Sequence, residues 1–394
     1  MHTAYRSFVF YFFSAIFVVS APLAVLYTAG YRINLNNNRV QQTGALALAT
    51  SPRGADVVIN GITQKSRTPL VMQRLLPGPV TVTMSKRGYH SFTQQTDVSA
   101  GKTSYMSALL FADAEPTVVM ESSGILAPTF DRSGRYVAYG LTRGNQAIIR
   151  VFDVLTLEDR SLTTTSFEQA SLRILATAQE NSFIINDSTQ EEVIDVAGIT
   201  ISPEIITTLL LGGIPEITLE DNGSNIEVRR SDTKTLIGLL PLDTYTVLER
   251  DDRFAIITNS RDVPFIVSLE QDAVVDLSTR LAAYDWLPEE HALLWTDGSE
   301  VSLYLAESQE KTFITRQSMP VLDIDWHPTG DAFFLTTSTS IQAVDRNSYT
   351  SRLFTTLTED LGIVTVGVED NGRALHYLTE TPENNQVFRL NLVR

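Results

Sequence analysis

No cysteine occurs among the 394 residues of the chain. This absence excludes disulfide bonds, thiolate metal sites and cysteine nucleophiles, so the stability of any folded unit must come from packing. At about 100 to 200 residues per domain, the length allows two or three such units.

Recognisable catalytic motifs are missing as well. The sequence has no HExxH metal-binding motif, no GxSxG nucleophile elbow and no glycine-rich phosphate loop. Histidine is scarce and follows no catalytic spacing; the five histidines are His2, His90, His291, His327 and His376. We therefore predict that the chain is not an enzyme and that it binds no cofactor.

Acidic residues are nearly absent from the first 111 positions. Only Asp56 and Asp97 oppose ten lysines and arginines there, which gives a net charge of +8. The whole chain has 30 basic and 46 acidic residues, so residues 112–394 hold 20 and 44, a net charge of −24. This asymmetry indicates two modules and argues against nucleic-acid binding by the acidic one. The basic one could contact anionic headgroups, wall polymers or an acidic partner, or carry only a solvated surface.

Charged residues are absent again from Phe8 to Ala29, an apolar run close to the roughly 20 residues of a transmembrane helix. A cleaved signal peptide is the alternative, because Val19-Ser20-Ala21 resembles a cleavage site. Pro22 follows that site directly, and the run exceeds the roughly 7 to 15 apolar residues of a signal peptide. The pattern favours an uncleaved transmembrane helix that anchors the chain in a membrane.

The charges beside this segment are almost balanced. Arg6 and the N-terminal amine precede it, and Arg32 and Arg39 follow it. Tyr27 and Tyr31 are typical of the aromatic belt at a membrane interface. Since a short N-terminal tail usually stays inside, we predict a single-pass protein with a cytoplasmic N-terminus and an extracytoplasmic body.

Residues 44–111 alternate in polarity as β-strands do. Asp56–Ile59 leads into Asn60-Gly61, a strong hairpin signal. Residues 79–84 alternate with period two, which places Val80 and Val82 on one face. We predict a small all-β sandwich of about 70 residues, enough for a core of its own.

A series of turn motifs in this module resembles the PEGA domain family. The motifs are, in order, Ser51-Pro52-Arg53-Gly54-Ala55, Val58-Ile59-Asn60-Gly61, Thr68-Pro69, Leu76-Pro77-Gly78 and Lys86-Arg87-Gly88-Tyr89. Arg53 stands where the Pro-Glu-Gly-Ala motif of the family has glutamate. The resemblance implies a surface-associated β-module, common in prokaryotic envelope proteins and without an assigned catalytic role.

The rest of the chain contains a repeat. Tyr284-Asp285-Trp286-Leu287-Pro288 and Ile324-Asp325-Trp326-His327-Pro328 share an Asp-Trp-x-Pro pattern whose tryptophans lie about 40 positions apart, the period of propeller blades. Each is followed by a polar turn and an apolar strand. Similar turn-and-strand units begin at Asp131, Asp252 and Asp370, and a fainter one at Asn181. This pattern predicts a β-propeller, in which blades bury their faces by stacking in a ring.

About 280 residues at about 40 per blade predict seven blades, with six as the alternative. The repeat is degenerate around residues 160–250. The last unit offers three strands, and Thr117–Met120 could supply the fourth and close the ring. The turns resemble those of TolB-like and WD40-like propellers of bacterial envelope proteins. A pair of β-sandwiches, the alternative fold, would not explain the period.

The metal-ligand candidates are Asp285, Asp325 and Asp221. Asp285 and Asp325 recur at equivalent positions and could form a carboxylate ring that holds a cation at the channel mouth. Asp221 lies in Glu220–Asn225, whose oxygens have calcium-like spacing without the terminal glutamate. In both cases we favour a turn, with a capping aspartate or a hairpin. We also predict that His327 is exposed and that the tryptophans lie in the blade core.

These observations predict an all-β protein with one N-terminal transmembrane helix. Its divisions are a tail (1–7), the helix (8–29), a linker (30–43), the PEGA-like sandwich (44–111) and the propeller (112–394). We expect a membrane-anchored extracytoplasmic binding or scaffold protein whose acidic propeller binds a protein, a peptide or a wall polymer. The alternatives are a propeller hydrolase acting on envelope substrates and a structural or sensory subunit of a membrane complex. The sequence does not indicate an oligomeric state.

Overall fold

The computed structural model describes residues 2–28, 30–34, 39–177, 181–201, 217–347, 352–381 and 384–394. The chain divides into two compact units. Unit 1 comprises Met1–Phe111 with Ser348–Leu353, and unit 2 comprises Ala112–Asn347 with Phe354–Arg394. This division differs from the predicted single stretch 112–394, because the apolar side chain of Leu353 packs against the core of unit 1.

Helix α1 (His2–Thr28) opens unit 1 and continues through Pro22. Its segment Val9–Thr28 has 20 residues and a mean hydropathy of 2.3, and none of this span is buried against the rest of the chain. A span of this length can cross a bilayer. The helix begins at His2 rather than at Phe8. The prediction placed its start where the uncharged run begins, but the polar residues before that run do not break a helix.

A β-hairpin follows the helix, where the sequence predicted only a linker. Strand β1 (Tyr31–Asn34) pairs antiparallel with β2 (Arg39–Gln42). Neither strand has the apolar alternation that reveals a half-buried strand, so pattern alone could not identify them.

Two sheets build the sandwich of unit 1. Their strands are β3 (Gly44–Ser51), β4 (Asp56–Ile59), β5 (Ile62–Thr63), β6 (Leu70–Leu75), β7 (Gly78–Ser85), β8 (Phe92–Val98) and β9 (Thr103–Leu109). One sheet has the order β5-β4-β7-β8, and the other has the order β6-β3-β9, in which β9 runs parallel to β3.

The residues predicted to face the core of this sandwich do so. Val80 and Val82 are buried and pack with Leu46 and Met106. Asn60-Gly61 joins β4 to β5, as predicted, and both residues have the positive φ angles that a two-residue hairpin turn requires.

Unit 2 is a ring of seven sheets among the described residues, as expected for a seven-bladed propeller. The first strand, β10 (Thr117–Ser122), belongs to the last blade. Blade 1 contains β11 (Ile125–Phe130), β12 (Tyr136–Arg143), β13 (Gln146–Asp153) and β14 (Glu158–Glu168). Blade 2 contains β15 (Arg173–Ala176), β16 (Ser182–Asn186), β17 (Glu191–Asp195) and β18 (Thr200–Ile201). Blade 3 contains β19 (Ile217–Asp221), β20 (Asn225–Arg230) and β21 (Leu236–Pro241).

The remaining blades carry the clearest repeats. Blade 4 contains β22 (Tyr245–Arg250), β23 (Phe254–Asn259), β24 (Pro264–Ser268) and β25 (Ala273–Asp276). Blade 5 contains β26 (Ala283–Leu287), β27 (Ala292–Thr296), β28 (Glu300–Leu305) and β29 (Glu310–Arg316). Blade 6 contains β30 (Val321–Trp326), β31 (Ala332–Thr337), β32 (Ser340–Asp345) and β33 (Phe354–Glu359). Blade 7 contains β34 (Ile363–Val368), β35 (Ala374–Glu380) and β36 (Asn385–Asn391) with β10. Short 3-10 helices occur at Gln169–Ser171 and Pro288–Glu290.

The ring closes as the sequence predicted. Strand β10 pairs antiparallel with β36, so the start and the end of unit 2 share one blade. The first strand of blade 1, β11, contacts the first strands of blades 2 and 7, and β30 contacts those of blades 5 and 7. The first strands therefore surround the centre of the ring.

The turn after the first strand of blade 1 connects this blade to both of its neighbours. The Asp131 carboxylate accepts backbone N–H groups from Arg135 in its own turn, at 3.1 Å, and from Asn181 of blade 2, also at 3.1 Å. Gly134 has a φ of +65°, and a Cβ there would lie 2.5 Å from the carbonyl carbon of Val368 in blade 7. Only glycine satisfies both conditions.

Candidate functional site

The predicted pair Asp285 and Asp325 lies on the first strands of blades 5 and 6. In the strand register, Asp285 of β26 pairs with Leu294 of β27, and Asp325 of β30 pairs with Phe334 of β31. The two aspartates therefore occupy equivalent positions in their blades. The equivalence inferred from the repeat is therefore confirmed. Both residues lie within strands, however, so their interpretation as turn caps is wrong. The strand continues through the tryptophan that follows each aspartate before the turn begins.

Asp285 links two blades through backbone hydrogen bonds. Its Oδ1 accepts the N–H of Trp286 at 2.8 Å, and its Oδ2 accepts the N–H of Trp326 at 2.7 Å. The second bond joins blade 5 to blade 6. The predicted acceptance of backbone N–H groups is thus present, but it connects strands of two blades instead of closing a turn.

Arg132 crosses the centre of the ring. It lies in the first turn of blade 1, and its Nη1 donates to Oε1 of Glu249 in blade 4 at 2.8 Å. Its Nη2 donates to the backbone carbonyl of Trp286 in blade 5 at 3.0 Å and lies 3.9 Å from Oδ1 of Asp285. Blades 4 and 5 are not neighbours of blade 1, so this side chain spans the central channel.

Burial and charge act against each other in this group. Burial tends to lower the pKa of Arg132, but the carboxylates of Glu249 and Asp285 outweigh it and raise the pKa. Burial raises the pKa of both carboxyl groups, and the attraction of Arg132 offsets only part of that rise. The Asp285 side chain nevertheless keeps 28% of its surface accessible.

Two further carboxylates stand beside this group on β30. Burial raises the pKa of Asp323 to about 7, although its carboxylate accepts backbone N–H bonds from Ile324 and Val366. Burial, together with the charges of Asp323 and Asp285, raises the pKa of Asp325 well above its usual value. Oδ2 of Asp325 is buried and accepts no hydrogen bond from the described residues.

We call Arg132, Glu249, Asp285, Asp323 and Asp325 the channel cluster. It sets four carboxyl groups against one guanidinium, so its fully ionised form would carry an excess of negative charge. Such a cluster attracts a cationic group. Over the parts of the chain that the structure describes, no group of three or more histidine or acidic residues could hold a metal ion.

The third metal-ligand candidate, Asp221, is exposed in a hairpin between β19 and β20, as the favoured interpretation predicted. Its carboxylate accepts the N–H of Gly223 at 2.6 Å, and the Asn222 side chain accepts the N–H groups of Ser224 and Asn225. These bonds close the turn, which explains the calcium-like spacing of the oxygens.

The prediction that His327 is exposed is wrong. The residue is only 4% exposed, since its ring packs under the next turn and its Nε2 lies 3.2 Å from the carbonyl oxygen of Gly372. Burial lowers the pKa of His327. The predicted core positions of the tryptophans are confirmed, because Trp286, Trp295 and Trp326 are all buried.

Two histidines of the propeller face carboxylates. His291 Nδ1 lies 3.0 Å from Asp251 Oδ2, while its Nε2 faces Glu307 at 3.9 Å. His376 is fully buried, with Nδ1 3.1 Å from the carbonyl oxygen of Gly134 and Nε2 3.7 Å from Oε1 of Glu369. A hydrolytic triad would need a nucleophile on the second ring nitrogen of such a pair. The second nitrogen of His291 faces a carboxylate instead.

Sequence reasoning missed Arg132, Glu249 and Asp323. Asp323 and Asp325 are separated by one residue in a predicted strand, so period two already placed them on one face. Arg132 directly follows Asp131, where one of the predicted turn-and-strand units begins, but no local signal shows that its side chain reaches blades 4 and 5. Glu249 has no signal of its own.

Comparison with known families agrees with the organisation of unit 1. Residues 43–110 match the family model described as the PEGA domain. This match covers strands β3 to β9 and supports the resemblance carried by the turn motifs. A search of curated proteins gives no match to the chain.

Several solved structures are similar to the chain at low identity. A chain of the crystal structure of the mitotic checkpoint complex is 12% identical, with 71% of this chain and 96% of that chain covered and a TM-score of 0.47. The β-propeller domain of Cps50 (Swd1) from Myceliophteria thermophila is 7% identical, with coverages of 70% and 99% and a TM-score of 0.43. The Pan2 WD40 domain from Neurospora crassa is 11% identical, with coverages of 68% and 91% and a TM-score of 0.42. The assignment of the propeller fold rests on the sheet order of this chain, not on these similarities. Unit 1 contains a PEGA domain, and unit 2 is a seven-bladed propeller.

Proposed function

We propose that the chain is a single-pass membrane protein that holds a non-enzymatic binding propeller outside the cytoplasm. The observation that carries the proposal is the segment Val9–Thr28 of helix α1, an apolar span of 20 residues with no burial against the chain. Cleavage after Ala21 would leave Pro22–Thr28 as an apolar stub in front of a folded module. An uncleaved anchor avoids that exposure, since in the bilayer the whole span is surrounded by hydrocarbon.

The propeller supplies the binding surface in this proposal. Residues 112–394 carry a net charge of −24, so a partner with a basic segment is favoured over an anionic one. The channel cluster concentrates carboxyl groups at the centre of the ring, and Oδ2 of Asp325 has no hydrogen-bond donor among the residues that the structure describes. A protein or peptide that presents lysine or arginine fits this surface better than an anionic wall polymer.

Topology is tested by labelling single cysteines, because the natural chain has none. Leu361 is 73% exposed, so Leu361→Cys reports on the propeller, and Thr3→Cys reports on the N-terminus. A membrane-impermeant maleimide added to intact cells should label position 361 but label position 3 only after lysis. Labelling of position 3 alone in intact cells would reverse the proposed orientation.

Binding is tested by cross-linking the full chain in membranes and recovering it with its partners. Asp325→Asn replaces the carboxyl group whose Oδ2 accepts no hydrogen bond from the described residues, and Asp221→Asn replaces a carboxyl group in an exposed hairpin as the matched control. We expect a discrete, salt-sensitive cross-linked product that Asp325→Asn weakens and Asp221→Asn leaves unchanged. Recovery of no specific product, or equal loss in both variants, would contradict a partner site in the channel.

A further inference from the structure

Gly30, two residues after the last residue of α1, is joined to the start of the sandwich of unit 1 by direct hydrogen bonds. The carbonyl oxygen of Gly30 accepts the N–H of Thr43 at 2.9 Å and its hydroxyl at 2.7 Å. Gly101 N–H in turn donates to the Thr43 carbonyl at 3.1 Å. The hairpin β1–β2 leaves and returns between Gly30 and Thr43. The first residues of β3 therefore lie beside the end of the apolar span.

Strand register shows which other residues share this end of the sandwich. Gly44 pairs with Leu75 at the end of β6, and Gly78 at the start of β7 pairs with Val98 at the end of β8. A Cβ on Gly44 would lie 2.3 Å from the carbonyl oxygen of Ser99, so β3 and the turn after β8 are in close contact. The turns 76–77 and 99–102 therefore meet at the end next to α1, which we call the helix-side rim.

Two cations stand on the helix-side rim without an ion pair or side-chain hydrogen bond to a described residue. Arg74 and Lys102 are both exposed, whereas Arg67 at the other end of the sandwich pairs with Asp56. Leu76, which is 41% exposed, lies beside Arg74 in the same turn region. The acidic residue of this end is Asp97, one position before the last residue of β8.

Arg74 occupies a position that favours glycine. The register between β3 and β6 shifts at Gly44/Ala45, so Arg74 is the extra residue of a β-bulge, with a φ of +62°. The first residue of such a bulge is commonly glycine, since a side chain in the left-handed region is strained. The strained backbone at Arg74 costs stability, and the side chain places a positive charge at the end of the module next to α1.

The Arg32 guanidinium adds a third positive charge near the end of α1. Its Nη1 donates to the carbonyls of Tyr27 at 3.1 Å and Tyr31 at 2.8 Å, and its Cζ lies 3.7 Å from the centre of the Tyr27 ring. An arginine that bonds a carbonyl in the last turn of a helix, as Arg32 bonds that of Tyr27, and stacks on an interfacial tyrosine is typical of a helix end at headgroup level.

We propose that the helix-side rim is a binding surface for anionic phospholipid headgroups, contacted by Arg74 and Lys102. This inference rests on the proposed membrane anchor and adds a second, polar contact beside it. Anionic lipid is the occupant because the tether keeps the rim near the bilayer surface and because both unpaired side chains are cations. The contact would fix the tilt of unit 1 on the membrane, which a single helix cannot do.

The test uses the full chain in nanodiscs, with a fluorophore on a single cysteine and a nitroxide on the lipid headgroups. Ser99→Cys labels the rim, and Ser66→Cys labels the opposite end as the control. In discs that contain phosphatidylglycerol, we expect quenching at position 99 and none at position 66. The double variant Arg74→Gln/Lys102→Gln should lower the ratio of docked to undocked module about 25-fold, at about fivefold for each cation. The matched double variant Arg53→Gln/Arg87→Gln at the other end should leave it unchanged.

Other outcomes would overturn the inference in distinguishable ways. Equal quenching in phosphatidylcholine discs and in both double variants would show that the tether alone sets the distance. No quenching at position 99, with the protein retained in the disc, would show that unit 1 stands away from the bilayer. Failure of the chain to enter discs would overturn the membrane anchor as well. Arg74→Gly provides a second variant that suits the bulge backbone, and it too should reduce docking about fivefold.

Discussion

Removing Arg132 should destabilise the propeller, and the cost should depend on pH. Arg132→Met deletes the 2.8 Å bond to Glu249 and the 3.0 Å bond to the Trp286 carbonyl, and it leaves a largely buried carboxylate without its cation. Breaking such a pair from one side costs about 3 kcal/mol at pH 8. The loss of the bond to the neutral carbonyl accounts for about 1 kcal/mol of this and does not vary with pH.

The rest of the cost follows the protonation of Glu249. Burial already raises the pKa of Glu249, and without Arg132 it should rise further. A carboxyl group whose folded pKa lies above its unfolded value stabilises the fold fully at low pH and loses that contribution as pH rises through the folded pKa. The destabilisation caused by Arg132→Met should therefore shrink from about 3 kcal/mol at pH 8 towards about 1 kcal/mol at pH 5.

Tryptophan fluorescence measures this effect on the propeller alone. All three tryptophans, Trp286, Trp295 and Trp326, lie in blades 5 and 6, so urea unfolding of the detergent-solubilised full chain reports on unit 2. Comparing Arg132→Met, Glu249→Gln and the double variant at pH 8 gives the coupling energy, which we expect to be about 1.5–3 kcal/mol. A coupling below about 0.5 kcal/mol, or a cost independent of pH, would refute the reasoning, since values that small are typical of exposed ion pairs.

Three further predictions concern unit 2, and the same unfolding assay checks each of them. Gly134→Ala should cost more than Gly144→Ala by about 1–3 kcal/mol, because both have positive φ but only the first new Cβ meets the backbone of Val368. Burial lowers the pKa of His376 to about 4, so stability should be complete above about pH 6.5 and fall by up to about 3 kcal/mol towards pH 4, a slope that His376→Gln should remove. Asp323→Asn should stabilise the ring at pH 8 and not at pH 4, because the raised folded pKa of about 7 removes stability as pH rises. An effect of the opposite sign in any of these variants would contradict the corresponding prediction.

The parts of the fold that could be predicted are those that burial imposes on neighbouring residues. Trp286 and Trp326 pack at equivalent register positions in consecutive blades, so the repeat is visible as a fixed spacing in the sequence. The closing strand Thr117–Ser122 was predictable by elimination, because the last unit had one strand too few and an isolated apolar strand preceded the first. Local hydrophobic periodicity is sufficient for both inferences.

The parts that could not be predicted depend on contacts between distant residues. Strand β9 runs parallel to β3, and nothing in its alternation distinguishes a parallel partner from an antiparallel one. The sequence does not indicate the bulge at Arg74 either, because local preference disfavours an arginine in the left-handed region. In the candidate site, the repeat identified Asp285 and Asp325, but the reach of Arg132 across the ring depends on closure of all seven blades.

The three aspartates of the channel cluster differ in what they do for the ring, and this difference separates structural roles from binding. Asp285 accepts two backbone N–H groups and joins blade 5 to blade 6, and Asp323 accepts the N–H of Val366 and joins blade 6 to blade 7. Oδ2 of Asp325 accepts no bond from the described residues, so blade assembly does not account for this buried oxygen. A buried acceptor left without a donor costs stability, and a cation supplied by a partner would restore the missing interaction. Replacing Asp325 should therefore weaken partner binding, whereas replacing Asp285 or Asp323 also changes a hydrogen bond between blades.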